Sequence, residues 1–140
     1  MTFREFERLC LALPEAELRE TWGEATFRVR DRIFAIGSFG GAHVSVKASL
    51  DDQSGLMAMD PKTFEMAAYT GRYGWVRVRL RGLGTELGHR LVENAWRRTA
   101  PRRLIVQYDE TARKPGVSTV RKASGSKAGS PRPRRPPRSG

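Results

Sequence analysis

From Trp75 the chain alternates strictly. Val76, Val78 and Leu80 share one parity, and Trp75, Arg77, Arg79 and Arg81 share the other. Successive side chains of an extended strand point to opposite faces, so this stretch predicts a strand with an apolar face and an arginine-bearing face. The same period of two runs through ATFRVR at 25–30, RIFAIGS at 32–38 and AHVSVKA at 42–48. Asp31 marks the first turn between these strands and Phe39-Gly40-Gly41 the second. Turns this tight join antiparallel neighbours. TFEMAAY at 63–69 reads as a weaker fourth strand of the series.

Elsewhere the period is helical. Phe3, Phe6, Leu9, Cys10 and Leu13 recur every three or four residues, and Thr2 with Glu5 has the spacing of a capping box. Pro14 ends that helix, because the residue before proline is pushed out of helical geometry. LDDQSGLMAMD at 50–60 predicts a short helix closed by Pro61. Thr85 is the expected N-cap of a helix whose apolar stripe is Leu87, Leu91 and Ala95, with Val92 and Trp96 beside it. PRRLIVQYDE from Pro101 predicts another helical turn or two. The order of elements implies an α+β fold, an antiparallel sheet with helices packed on one face.

Charge divides the chain. It has 26 lysines and arginines against 15 acids, a formal charge of +11. All 15 acids lie in residues 1–110 with 17 of the bases, so that part is nearly balanced. Residues 111–140 carry the other nine bases and no acid. SGSKAGSPRPRRPPRSG offers no apolar anchor to offset the entropy of ordering. The expected organisation is therefore a domain over 1–110 and a disordered basic tail over 111–140. Cys10 stands alone, no apolar run has membrane-spanning length, and the charged N-terminus is unlike a signal peptide. A cytoplasmic protein without disulfide or membrane contact is expected.

Strand parity places Phe27, Val29, Val44 and Val46 inward with Val76, Val78 and Leu80. The outward face is then expected to display Arg28, Arg30, Lys47, Arg77, Arg79 and Arg81, with no carboxylate on those strands and with Trp75 as a stacking platform. In the tail Arg132, Arg134, Arg135 and Arg138 are the candidate phosphate ligands. No glycine separates the arginines of PRPRRPP, unlike a minor-groove hook.

Catalytic chemistry has little support. His43 and His89 belong to no HExxH and have no paired cysteine, so neither metal nor cofactor is expected. No nucleophile stands near either in sequence, and an enzyme reading would require a concave pocket around one of them. GSFGG at 37–41 lacks the GK[ST] ending of a phosphate loop and serves a hairpin turn. Asp51 and Asp52 are explained by a helix N-terminus and Cys10 by an apolar stripe.

FREFERLCLALPEA, TFRVRDRIFAI, GWVRVRL and the helix ending NAWRRTAPRRL together resemble the MmcQ/YjbR-like proteins, over roughly residues 3–108. The resemblance implies an α+β fold similar to frataxin-like and secretion-chaperone-like folds. It also implies DNA binding by a double-wing motif in a small bacterial protein, with no catalytic residues to carry over. Two places depart from the family's pattern. Gly74 stands where a histidine often precedes the tryptophan, and Ala95-Trp96 where a Ser-Tyr pair is common.

The expected function is non-enzymatic binding of duplex DNA or another polyanion, through phosphate contacts with weak sequence preference, in association with the nucleoid. The alternative is a protein–protein adaptor or chaperone-like module whose sheet face takes an acidic partner segment. Oligomeric state is not legible in the sequence.

Overall fold

The computed structural model describes residues 1–113. The tail expected from 111 onward, with Arg132, Arg134, Arg135 and Arg138, lies outside the described residues except for its first three positions. Two units are distinguished, Met1–Pro101 and a second that begins at Arg102.

The first helix, α1 (Phe3–Leu11), starts as its sequence requires. Thr2 Oγ1 accepts from the Glu5 amide at 3.1 Å, and the Glu5 carboxylate accepts from the Thr2 amide at 2.7 Å. Phe3, Phe6 and Cys10 are its buried face. Phe6 meets Phe27 edge-on at 5.7 Å between ring centroids, an arrangement that adds quadrupole attraction to area burial.

Six strands follow: β1 (Ala16–Thr21), β2 (Glu24–Val29), β3 (Arg32–Ser38), β4 (His43–Val46), β5 (Phe64–Met66) and β6 (Val76–Arg79). They form one antiparallel sheet in the order β1-β2-β3-β4-β6-β5, so β6 lies between β4 and the edge strand β5. A bulge between Phe27 and Arg28 shifts the β2–β3 register. The alternation expected for β6 is present, with Val76 and Val78 fully buried and Arg77 and Arg79 exposed. Val44, Val46, Phe27 and Val29 are buried beside them.

Helix α2 (Leu50–Met59) begins at Ser49, whose hydroxyl accepts from the Asp52 amide, and it ends before Pro61. It buries one residue, Gln53. The Gln53 amide nitrogen donates to the carbonyls of Gly71 at 2.8 Å and Trp75 at 2.7 Å, tying α2 to the chain that enters β6. Helix α3 (Thr85–Arg97) buries Leu91, Val92, Ala95 and Trp96 and packs on α1, β3 and β4. Trp96 is wholly buried, and its indole nitrogen donates to the Pro14 carbonyl at 3.0 Å.

The fold is therefore α+β with an antiparallel sheet, as expected. Two local expectations change. The N-cap of α3 is Gly84 and not Thr85, because the Gly88 amide already bonds the Gly84 carbonyl and closes the first turn one residue earlier. The strand β1, AELRET, was not expected, since Leu18 is the one large apolar residue in it and it lies at the sheet edge.

In the second unit, α4 (Arg102–Arg113) runs three residues past the compositional boundary at 110. Among the described residues no helix is long and apolar enough to cross a membrane.

Candidate nucleic-acid interface

The open face of the sheet begins with the β4–β6 and β5–β6 registers. Ser45 stands opposite Arg77 and Arg77 opposite Glu65, while His43 stands opposite Arg79. Each strand contributes its outward parity, so one row of side chains crosses three strands. Two shallow hollows share His43. One, of about 320 Å³, is lined by His43, Pro61, Lys62, Thr63, Glu65 and Arg79. The other, of about 220 Å³, lies between Glu24 and Arg77. The His43 imidazole makes no hydrogen bond or ion pair among the described residues. Among the described residues no three His, Cys, Asp or Glu side chains converge as metal ligands would.

The expected arginine comb is only partly assembled. Arg77 and Arg79 are exposed on one face, as the alternation requires. Arg77, however, pairs with Glu65 directly across the β5–β6 ladder. The expectation of no carboxylate on the cation-bearing strands is corrected by Glu24, which falls within β2, and the neighbouring β5 brings Glu65 beside β6. Such exposed cross-strand pairs contribute little to stability, but they neutralise the cation locally.

Arg28 is also corrected. Its side chain is only 13% exposed and is held by neighbours. Its Nε donates to Thr26 Oγ1 at 3.1 Å, one terminal nitrogen donates to Thr21 Oγ1 at 2.9 Å, and the other lies 3.9 Å from Asp31. Arg30 has left the strand. With φ of +50° it shares the β2–β3 turn with Asp31, and it forms a two-pronged ion pair with Glu15. The Arg30 hydrogen bonds hold the Glu15 carboxyl below its usual range.

Lys47 is on the other side of the sheet from Arg77. Strand β4 ends at Val46, so parity stops there, and Lys47 lines a hollow between α2 and α3. Partial burial, then Arg32 and Arg98, push the Lys47 ammonium below its ordinary pKa. Arg81 lies beyond β6 in a 3₁₀ turn over Leu80–Gly82, exposed. Trp75 is half-buried just before β6, with its carbonyl committed to Gln53.

The structure brings forward cations that alternation did not single out. Lys62 lines the larger hollow with Arg79, and the Arg72 guanidinium lies 4.9 Å from the centroid of the Tyr73 ring. Lys62, Arg72, Arg79 and Arg81 make no ion pair among the described residues. Charge is segregated accordingly. Residues 15–29, which contain the β1–β2 hairpin, hold four glutamates and two arginines, whereas residues 60–81 hold five cations and two acids. The two ends of the sheet differ in sign.

The model of the YjbR family matches residues 11–98, more than half of the chain. The chain belongs to the YjbR family. It is also similar in fold to the crystal structure of Deinococcus radiodurans protein DR2400, described as a DUF419 domain. That likeness has a TM-score of 0.62 at 19% identity and covers 68% of this chain and 75% of that one. No curated protein matches the chain.

Within this YjbR domain the two departures from the family's pattern have physical reasons. Gly74 has φ of +106°, and a Cβ there would stand 2.3 Å from the Ala48 carbonyl oxygen, so no histidine fits without moving the backbone. Ala95 and Trp96 are wholly buried, and Trp96 ties α3 to the loop at Pro14.

Proposed function

We propose that this YjbR-family chain binds the phosphate backbone of duplex DNA through the β5–β6 end of its sheet, without enzymatic turnover. The observation that carries the reading is the charge segregation. Four cations, Lys62, Arg72, Arg79 and Arg81, lack acidic partners among the described residues at that end, while the acids collect on the opposite hairpin. A polyanion is attracted to the first and repelled by the second, which fixes where it lies before any base is read. The hollow between Lys62 and Arg79 gives one phosphate a concave seat. No helix enters with base-reading side chains in this reading, so sequence preference is weak. The nine cations of residues 111–140 add affinity through counterion release, and association with the nucleoid follows.

The test is fluorescence anisotropy of a short labelled duplex with the full-length protein across a salt series. Replacing Arg72, Arg79 and Arg81 by alanine is expected to flatten the log–log salt slope by about 0.9 for each phosphate that is no longer neutralised. An unchanged slope refutes the β5–β6 site. A second reading, an adaptor for an acidic protein segment, draws on the interleaved acids and bases of the open face, Glu65 beside Arg77 and Glu15 beside Arg30. An acidic peptide that displaces the protein more effectively than unlabelled duplex decides for the adaptor.

A further inference from the structure

A hollow of about 290 Å³ opens between α2 and α3, on the helix side of the sheet. Its floor is apolar, with Leu56 and Met59 of α2 facing Leu87 and Leu91 of α3. Helix α2 covers this floor only in part, because its one buried side chain is the tethering Gln53: Leu91 is buried, Leu56 and Leu87 are half-buried, and Met59 remains 62% exposed.

The rim carries Lys47, Arg90, Asp51 and Asp52. None of these four side chains makes an ion pair or hydrogen bond among the described residues, although two cations and two carboxylates border one small space. Lys47 is crowded further by Arg32 and Arg98, like charges that an anionic group would relieve.

Gly55 borders the same hollow from the interior of α2. Its backbone is not left-handed, and a Cβ built on it meets no atom within 4 Å. A glycine inside a helix lowers helix stability, and neither conformation nor packing demands one here. What its missing side chain leaves is open space above the apolar floor.

We infer that the α2–α3 hollow binds a small dipolar ion with an apolar body, the chemistry of a free apolar amino acid. Its carboxylate lies toward Lys47 and Arg90, its ammonium toward Asp51 and Asp52, and its side chain over Leu56, Met59, Leu87 and Leu91. The volume is at the low end for ligand sites, which suits a single amino acid and excludes a nucleotide. This site is separate from the proposed DNA interface and does not rest on it.

Amide NMR titration of the full-length protein tests the inference with three probes. They are L-phenylalanine, 3-phenylpropionate, which lacks the ammonium, and phenethylamine, which lacks the carboxylate. L-Phenylalanine is expected to bind saturably and to shift the amides of Gly55, Leu56 and Leu87. Each one-ended analogue is expected to bind at least about tenfold more weakly, as when one partner of a charge pair is removed. Lys47→Met should weaken L-phenylalanine by a similar factor and leave phenethylamine unchanged. Gly55→Leu places its Cβ where no atom lies within 4 Å and its larger side chain in the hollow, so it should remain folded and no longer bind. Absence of saturable L-phenylalanine binding, equal binding by either analogue, or undiminished binding to the folded Gly55→Leu variant overturns the inference.

Discussion

Gln53 is the residue whose removal the structure makes most informative. It is 3% exposed, and both protons of its amide nitrogen are committed, to the Gly71 carbonyl and to the Trp75 carbonyl. Replacement by leucine keeps the volume and removes both bonds. Neither carbonyl is left wholly alone, because Gly71 still accepts from the Gly74 amide at 3.0 Å and Trp75 from the Ala67 amide at 3.4 Å. The loss is therefore the net worth of two hydrogen bonds, about 0.5–1.5 kcal/mol each, and not two full desolvation penalties. Leucine's apolar burial returns part of that, so a net cost of about 1 kcal/mol is expected. Since each kcal/mol moves the midpoint of a domain this size by roughly 4–8 °C, the melting temperature should fall by about that much. Urea unfolding followed by circular dichroism measures the free energy. Amide exchange should quicken first at Gly71–Trp75, where the tether acts. Unchanged stability together with unchanged exchange at Gly71–Trp75 refutes the claim that this amide tethers α2 to the chain entering β6.

Three further outcomes are expected. Gly74→Ala must bring a Cβ within 2.3 Å of a carbonyl oxygen at φ of +106°, so it should cost about 3 kcal/mol or more in urea unfolding. Glu15 and Asp31 are held below their ordinary carboxylate values, each first by an arginine hydrogen bond, from Arg30 and Arg19 respectively. A depressed folded pKa means the unfolded chain binds the proton more readily. The stabilisation is present above the ordinary values of 4.5 and 3.8 and is lost as pH falls through the folded ones. The stability difference between the parent and Arg30→Met, measured by urea at several pH values, should accordingly shrink toward zero in acid. Burial pushes the Cys10 thiol well up, so a thiol reagent should label it in urea and leave it untouched in the native protein.

The elements that announced themselves in the sequence are those with local causes. The capping box at Thr2 and Glu5 is a four-residue motif and needs no distant partner. The alternation of Val76, Val78 and Leu80 follows from burial on one face. AELRET escaped because an edge strand with a solvated face carries Glu17, Arg19 and Glu20 and shows almost no apolar period. The signal that could have found it was the tight Trp22-Gly23 turn, where both residues have positive φ and join β1 to β2 as a two-residue hairpin loop. The candidate site was less legible for a different reason. Glu15 meets Arg30 and Glu65 meets Arg77 through turn geometry and strand register, which join residues 15 and 12 apart in sequence. Lys47 was assigned to the open face by carrying strand parity one residue past Val46, where the strand stops.

Those ion pairs also divide the sheet into two halves of different charge. On the β1–β2 side the arginines are consumed: Arg19 by Glu17 and Asp31, Arg28 by threonine hydroxyls and Asp31, Arg30 by Glu15. The guanidinium groups there satisfy local acceptors and leave an acidic surplus. On the β5–β6 side Glu65 pairs with one of five cations, and Asp60 accepts from the Lys62 amide without pairing any cation among the described residues. Total charge could not distinguish these halves, because residues 1–110 are almost neutral when summed. Pairing can, and its consequence differs from that of a uniform arginine comb. Under the proposed reading a backbone phosphate that strays toward Glu15, Glu17 or Glu24 would meet net repulsion, and duplex would be confined to one end of the sheet. If that reading holds, Glu65→Gln should tighten duplex binding in the anisotropy titration by freeing Arg77, whereas Glu15→Gln, which frees Arg30 at the other end, should leave it unchanged.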